Sequence, residues 1–295
     1  MRASFFRLSG QGLSAKLALS AVLIAFASGG STLSAASDRP LPPDAVVGGK
    51  SQAEWSAAWW EWATPIPADH HPLTDTADVS TGQSGDVWFI GGSFVSGTAK
   101  RYCTIPTGKM LFLPVLNVEC STLECPGDFC GHTAAELSAC AKRWMDNPTN
   151  LFCTIDGVAV PGLDSYRVQS PMFDFGPVPP NNVLGVPVPP DTGQSVSDGI
   201  YLMFSPLAEG EHTLHFGGAF ANGFALDITY HLMVAPVLSY SRSGGQLTLS
   251  WTSPGCVLQE NTSVADLAGW RDVSGGNVSP VTVTIDGGNR FFRLR

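Results

Sequence analysis

Charge is scarce in this chain of 295 residues: Asp, Glu, Lys and Arg make up 14% of it, and acids outnumber bases 25 to 16. No cluster of Lys and Arg is present to neutralise phosphate, which excludes nucleic acid and an anionic membrane surface as partners. The local signatures of several enzyme classes are also missing. There is no Gly-x-Ser-x-Gly elbow, no His-Glu-x-x-His, no phosphate loop and no dinucleotide fingerprint. Nothing in the sequence calls for a metal or a cofactor. No apolar run approaches the about 20 residues that a membrane-crossing helix needs. The nearest, Leu17 to Ala27, follows Arg2, Arg7 and Lys16 and precedes the small residues Ser31 to Ala36. That layout predicts a secretory leader over 1–36, removed from the mature protein. Its loss takes three positive charges and lowers the net charge from −9 to −12.

What the chain does have is 32 Gly, 22 Pro and 7 Cys. Frequent turns and few charges predict a mainly β exported fold. Cys103, Cys120, Cys125, Cys130, Cys140 and Cys153 fall close together, and in an oxidising compartment disulfides are their expected fate. Cys120, Cys125, Cys130, Cys140 and His132 also have the ligand chemistry for zinc, a weaker reading in that compartment. Connectivity is not legible from spacing. Cys256 stands apart and is expected to be a buried free thiol.

Two helices are predicted from capping boxes, in which a Ser or Thr and a Glu three residues on satisfy each other's amides. Ser51-x-x-Glu54 opens the first, which carries Trp55, Trp59 and Trp62 on one face and ends before Pro65. That face is expected in the core, with Trp60 turned about 100° away and exposed. Thr133-x-x-Glu136 opens the second, with Leu137, Cys140, Ala141 and Trp144 inward. Strand-like runs surround them at Val87–Phe94, 110–116, 152–155, 166–175, 199–205, 212–216 and 224–234. In the last, Leu226, Ile228, Tyr230, Leu232 and Val234 alternate with Asp227, Thr229 and His231, one face apolar and one wet. The expected fold is therefore a two-sheet β-sandwich, jelly-roll or immunoglobulin-like, with two short helices. Residues 177–197, with six prolines, are expected to be a long loop, functional or mobile. The sandwich domain is placed at 37–235, and 236–295 is expected to be a small separate C-terminal β-module.

Several spaced motifs occur together: Trp55-x3-Trp59-Trp60-x-Trp62, then Gly82-Gln83-x-Gly85-x-Val87-Trp88-Phe89, then Cys103-Thr104-Ile105-Pro106-x-Gly108-Lys109 running into Pro114-Val115-Leu116-Asn117. This set resembles a family of uncharacterised secreted bacterial proteins. The tail, with Leu247 to Trp251 and the ending Phe291-Phe292-Arg293-Leu294, resembles a small β-module at the end of many exported bacterial proteins. The resemblances imply export and an accessory or surface role, and no chemistry.

Candidate site residues are few. His70, His71 and Asp75 lie in one loop after the first helix, and His71 with Asp75 is the best pair for acid–base work. Trp60 and Trp88 are candidate stacking surfaces for a sugar ring, and Arg101 is a candidate for holding an anionic group. His212 and His215 are expected on opposite faces of one strand. Three readings follow: non-catalytic binding or display of an extracellular glycan, an extracellular polysaccharide hydrolase or lyase, and a structural envelope protein.

Overall fold

The structure is a computed structural model that describes residues 39–295 apart from 75–77, 189, 252, 254 and 286. The leader expected over 1–36 and the candidate Asp75 lie outside the described residues.

Both capping boxes form. In α1 (Gln52–Ala63) Ser51 Oγ accepts from the Glu54 amide while the Glu54 carboxylate accepts the Ser51 amide at 2.8 Å. In α2 (Ala134–Met145) Thr133 and Glu136 do the same. Each box satisfies amides that a helix start leaves without intrahelical partners.

Two five-stranded sheets make the sandwich. The first runs β1 (Val87–Phe89), β3 (Met110–Ser121), β8 (Gly193–Phe204), β6 (Arg167–Gln169), with β7 (Phe173–Phe175) also paired to β8. The second runs β2 (Gly97–Pro106), β10 (Ala225–Ala235), β9 (Gly210–Ala219), β4 (Thr149–Ile155), β5 (Val158–Ala159). Strands β1 and β3 are parallel, as are β2 and β10; the other pairs are antiparallel. The turn between β4 and β5 puts Asp156 and Gly157 at φ 50° and 78°, the two positive values a tight hairpin wants.

Alternation decides which side of each strand is buried. In β10 the apolar set from Leu226 to Val234 enters the core between the sheets, where it meets Leu113 and Leu116 of β3, Leu202 of β8 and Phe216 of β9. A bulge between Pro114 and Leu116 turns both Val115 and Leu116 into that core. Strand β8 is buried on both sides from Ser195 to Phe204, because α1 and residues 173–188 cover its other face. Among the described residues nothing covers the second sheet in the same way, and its outward side chains are exposed or half-buried.

Four expectations change. Residues 97–106, absent from the expected strand runs, form the long strand β2, because Arg101 occupies an inward position and disguises the alternation of Lys100, Tyr102 and Thr104 with Cys103 and Ile105. Residues 193–197 belong to β8, and Val178 and Val186 from the proline-rich stretch are buried over α1. Trp60 is 5% exposed: its ring lies against Trp59 and Phe94, so the helix buries a wider arc than the face of Trp55, Trp59 and Trp62.

Cysteine pairing is the fourth. The disulfides are Cys120–Cys140 and Cys125–Cys130, while Cys103, Cys153 and Cys256 are free and buried. Cys103 on β2 and Cys153 on β4 are three strand spacings apart and four residues out of register, roughly 20 Å, well beyond the reach of a disulfide. The Cys120–Cys140 bridge fastens α2 to β3.

The tail builds two three-stranded sheets: β11 (Ser239–Ser243), β12 (Gln246–Ser250) and β15 (Val281–Thr284), then β14 (Arg271–Asp272), β13 (Leu258–Asn261) and β16 (Phe291–Leu294). They enclose their own apolar cluster, including Leu249, Leu258 and Phe292. Among the described residues none of these strands pairs with the larger sheets.

Candidate functional site

The residues singled out in the sequence do not converge. His70 and His71 point apart: His70 is exposed beside Asp69 at 3.5 Å, and His71 is fully buried. His71 Nε2 donates to the Ala63 carbonyl at 2.9 Å and Nδ1 accepts the Leu73 amide at 3.2 Å, so one neutral tautomer satisfies both contacts. Burial holds its pKa below the ordinary value, and the nearby Arg101 charge adds to that. His71 is thus a clamp at the end of α1, with both nitrogens engaged and no face for a substrate.

Arg101 is 4% exposed and sits inside the sandwich. Its guanidinium donates to the carbonyls of Gly91, Gly92 and Leu73 at 3.0, 2.6 and 3.1 Å and to Tyr230 Oη at 2.9 Å. It ties the 71–73 and 91–92 segments to β2 and β10. Trp88 is 7% exposed in the inter-sheet core, and Trp60 packs against Trp59 and Phe94. Neither ring offers a sugar platform.

A different surface carries exposed aromatic and polar groups in register. On the outer face of the second sheet, one row reads Lys100, Thr229, His215, Thr154 across β2, β10, β9 and β4, and the next begins Tyr102, His231, Thr213. Tyr102 is 70% exposed and lies flat on the His231 ring, centroids 4.9 Å apart and planes at 20°. His231 Nε2 has no hydrogen-bond partner among the described residues. Diagonally across the face, His215 Nε2 meets Asp227 Oδ1 at 2.7 Å, and Phe152 stands edge-on to the His215 ring at 4.7 Å. Gly217 makes this corner possible. A Cβ there would collide with the Leu226 carbonyl and touch Phe152 at 3.0 Å. The strand spacing and rise place the Tyr102 and Phe152 corners roughly 20 Å apart.

The sequence reading placed His212 and His215 on opposite faces, and that holds: His215 is on the wet face, while His212 bonds Asp156 at 2.6 Å at the sheet margin. Tyr102 and Phe152 were missed. Tyr102 lies in the strand hidden by Arg101, and the partnership of His215 with Asp227 crosses strands, which no local spacing reports.

A second cluster is buried. Glu119 of β3, 4% exposed, accepts the Ser195 hydroxyl, and Glu124 accepts the Ser121 hydroxyl at 2.9 Å. Burial raises both carboxyl pKa values, and the Glu119 carboxylate opposes ionisation of Glu124 further. The pair shares a proton and works as an internal hydrogen-bonded joint.

No family model matches the chain, and no curated protein matches it. Among solved structures, it is similar to dimeric latent PorU from Porphyromonas gingivalis at 15% identity and a TM-score of 0.19, over 68% of this chain and 17% of that one. It is also similar to the ectodomain of the teleost fish polymeric Ig receptor at 10% identity and a TM-score of 0.23, over 67% of this chain and 84% of that one. The chain spans under a fifth of the length of the first.

Proposed function

We propose that this is an exported, non-catalytic protein that binds a neutral extracellular glycan on the outer face of the second sheet. The observation that carries the reading is Tyr102, a ring 70% exposed and held flat by His231 on a sheet face that also carries Thr98, Thr104, Thr213 and Thr229. A fixed aromatic plane covers the apolar face of a sugar, and hydroxyl, imidazole and carboxylate groups around it exchange hydrogen bonds with sugar hydroxyls. Lys100, Asp227 and Glu211 mix both signs on the face, which favours a neutral ligand over a charged one. Two disulfides suit an oxidising compartment, and no helix of the described residues is long and apolar enough to cross a membrane.

The hydrolase reading is weaker here. Its base, His71, is sealed and doubly bonded, and the Glu119–Glu124 pair is a proton-sharing joint with Glu119 out of reach of solvent.

A glycan-array screen with a parallel hydrolysis assay tests the proposal. The expected result is retention of a neutral oligosaccharide without turnover. Tyr102→Ala should weaken binding by about 1 kcal/mol, roughly fivefold, at unchanged melting temperature. Turnover of a bound glycan would move the protein to the hydrolase reading. No retention, or retention indifferent to Tyr102, would leave the structural envelope role.

A further inference from the structure

The two disulfides sit in different surroundings. Cys120 and Cys140 are 0% and 5% exposed, inside the core under α2. Cys125 and Cys130 are only half-buried, and they close a short loop whose residues Pro126, Gly127 and Asp128 are exposed. His132 lies over this second bridge: its Nδ1 is 3.9 Å from the Cys125 sulfur and its Nε2 is 3.9 Å from the Cys130 sulfur. The ligand atoms of Cys125, Cys130 and His132 all fall within 4.8 Å of one another. The His132 backbone is fixed, because its amide donates to Glu136 Oε2 at 2.8 Å at the start of α2.

We propose that Cys125, Cys130 and His132 form a three-ligand site for a soft d10 cation such as Zn2+ when the Cys125–Cys130 bridge is reduced. A dithiol reductant supplies two electrons and two protons, becoming a cyclic disulfide while the bridge becomes two thiols. Metal binding then displaces both thiol protons to solvent, and neutral His132 contributes one ring lone pair. With Zn–S about 2.3 Å and Zn–N about 2.0 Å, ligand atoms on a tetrahedron stand about 3.5–3.8 Å apart. One ring nitrogen serves as ligand, and the three ligand atoms already lie within 4.8 Å of one another, so a turn of the exposed imidazole and a parting of the two sulfurs complete the spacing. Opening this bridge leaves α2 in place, because Cys120–Cys140 and the buried Leu137, Ala141 and Met145 hold the helix independently. The exposure difference makes Cys125–Cys130 the bridge that a thiol reaches first. Three protein ligands leave a fourth position for water or a small ligand.

The test uses the full chain, reduced with limited dithiothreitol, desalted without oxygen and titrated with Zn2+ against a chromophoric chelator. Alkylation and peptide mapping should show Cys125 and Cys130 labelled while Cys120–Cys140 stays closed. The reduced protein should take up one Zn2+ and release two protons, and the oxidised protein should take up none at this site. His132→Ala, an exposed change that keeps both thiols, should weaken the affinity at least tenfold without moving the melting temperature. Cys125→Ser with Cys130→Ser should abolish uptake. No uptake by the reduced protein, uptake that survives the double serine variant, or loss of both bridges together with the fold would each overturn the proposal.

Discussion

His71 and the Glu119–Glu124 pair are buried titratable groups whose effects on stability run in opposite directions with pH. The His71 pKa lies below 6.5, chiefly through burial, so the folded protein resists a proton that the unfolded chain accepts. Its contribution is therefore complete above pH 6.5 and is lost as pH falls below it. His71→Gln should flatten the acid limb of a stability–pH curve while lowering stability at neutral pH, where the bonds to Ala63 and Leu73 are broken. The carboxyl pair is held above 4.5, so the folded protein keeps a proton that the unfolded chain releases. Stability from this source is highest at acid pH and declines as pH climbs from 4.5, by at most about 1.4 kcal/mol per pH unit for one proton. Glu124→Gln should remove that decline. Urea denaturation at pH 5 and pH 8 checks it, and an unchanged difference between the two pH values in the variant would exclude the shared proton.

The helix α1 is where local pattern and tertiary cover diverge. Capping and the placement of Trp59 follow from nearby residues alone, and Trp59 is 1% exposed with its Nε1 donating to the Ile90 carbonyl at 2.9 Å. Trp60 was expected outside because its direction differs from Trp59, yet its ring packs against Phe94 within the apolar cluster that also holds Tyr201 of β8. Trp59→Ala and Trp60→Ala should therefore both cost about 3–5 kcal/mol, read as a shift in denaturation midpoint. Trp62→Ala should cost less, since that ring is half-buried against Phe89. A Trp60→Ala protein as stable as the parent would show that this ring is not packed in that cluster in solution.

For the whole molecule, the cysteine map and the tail give the sharpest measurements. Seven cysteines with two bridges leave three thiols, so titration of denatured, unreduced protein should find Cys103, Cys153 and Cys256. In the folded protein Cys103 and Cys153 should react slowly, because burial pushes both thiols up to about 12. One thiol instead of three would mean that Cys103 and Cys153 are bridged and that β2 and β4 are not where the second sheet puts them. The tail has its own apolar cluster and its own sheets. Truncation after Ala235 should leave the main thermal transition and the glycan behaviour in place, and loss of that transition would show that the tail completes the sandwich.

The sequence by itself determined what depends on neighbours within a few residues. Both helices, their caps, the alternation of β10 and the mainly β class follow from hydrogen-bonding and periodicity that the local chain contains. The Asp156-Gly157 turn and the opposite faces of His212 and His215 belong with them. What only the tertiary structure decided depends on which strands lie side by side and what covers them. Register brings Tyr102 onto His231 and His215 onto Asp227 from strands far apart in the chain. Strand order keeps Cys103 from Cys153, and Phe94, brought in from beyond β1, helps bury Trp60. Arg101, charged and inward, reads as a surface group until the carbonyls of Gly91, Gly92 and Leu73 are brought around it. Burial and pairing across the chain are properties of the assembled layers, and a one-dimensional pattern carries the period of an element without its neighbours.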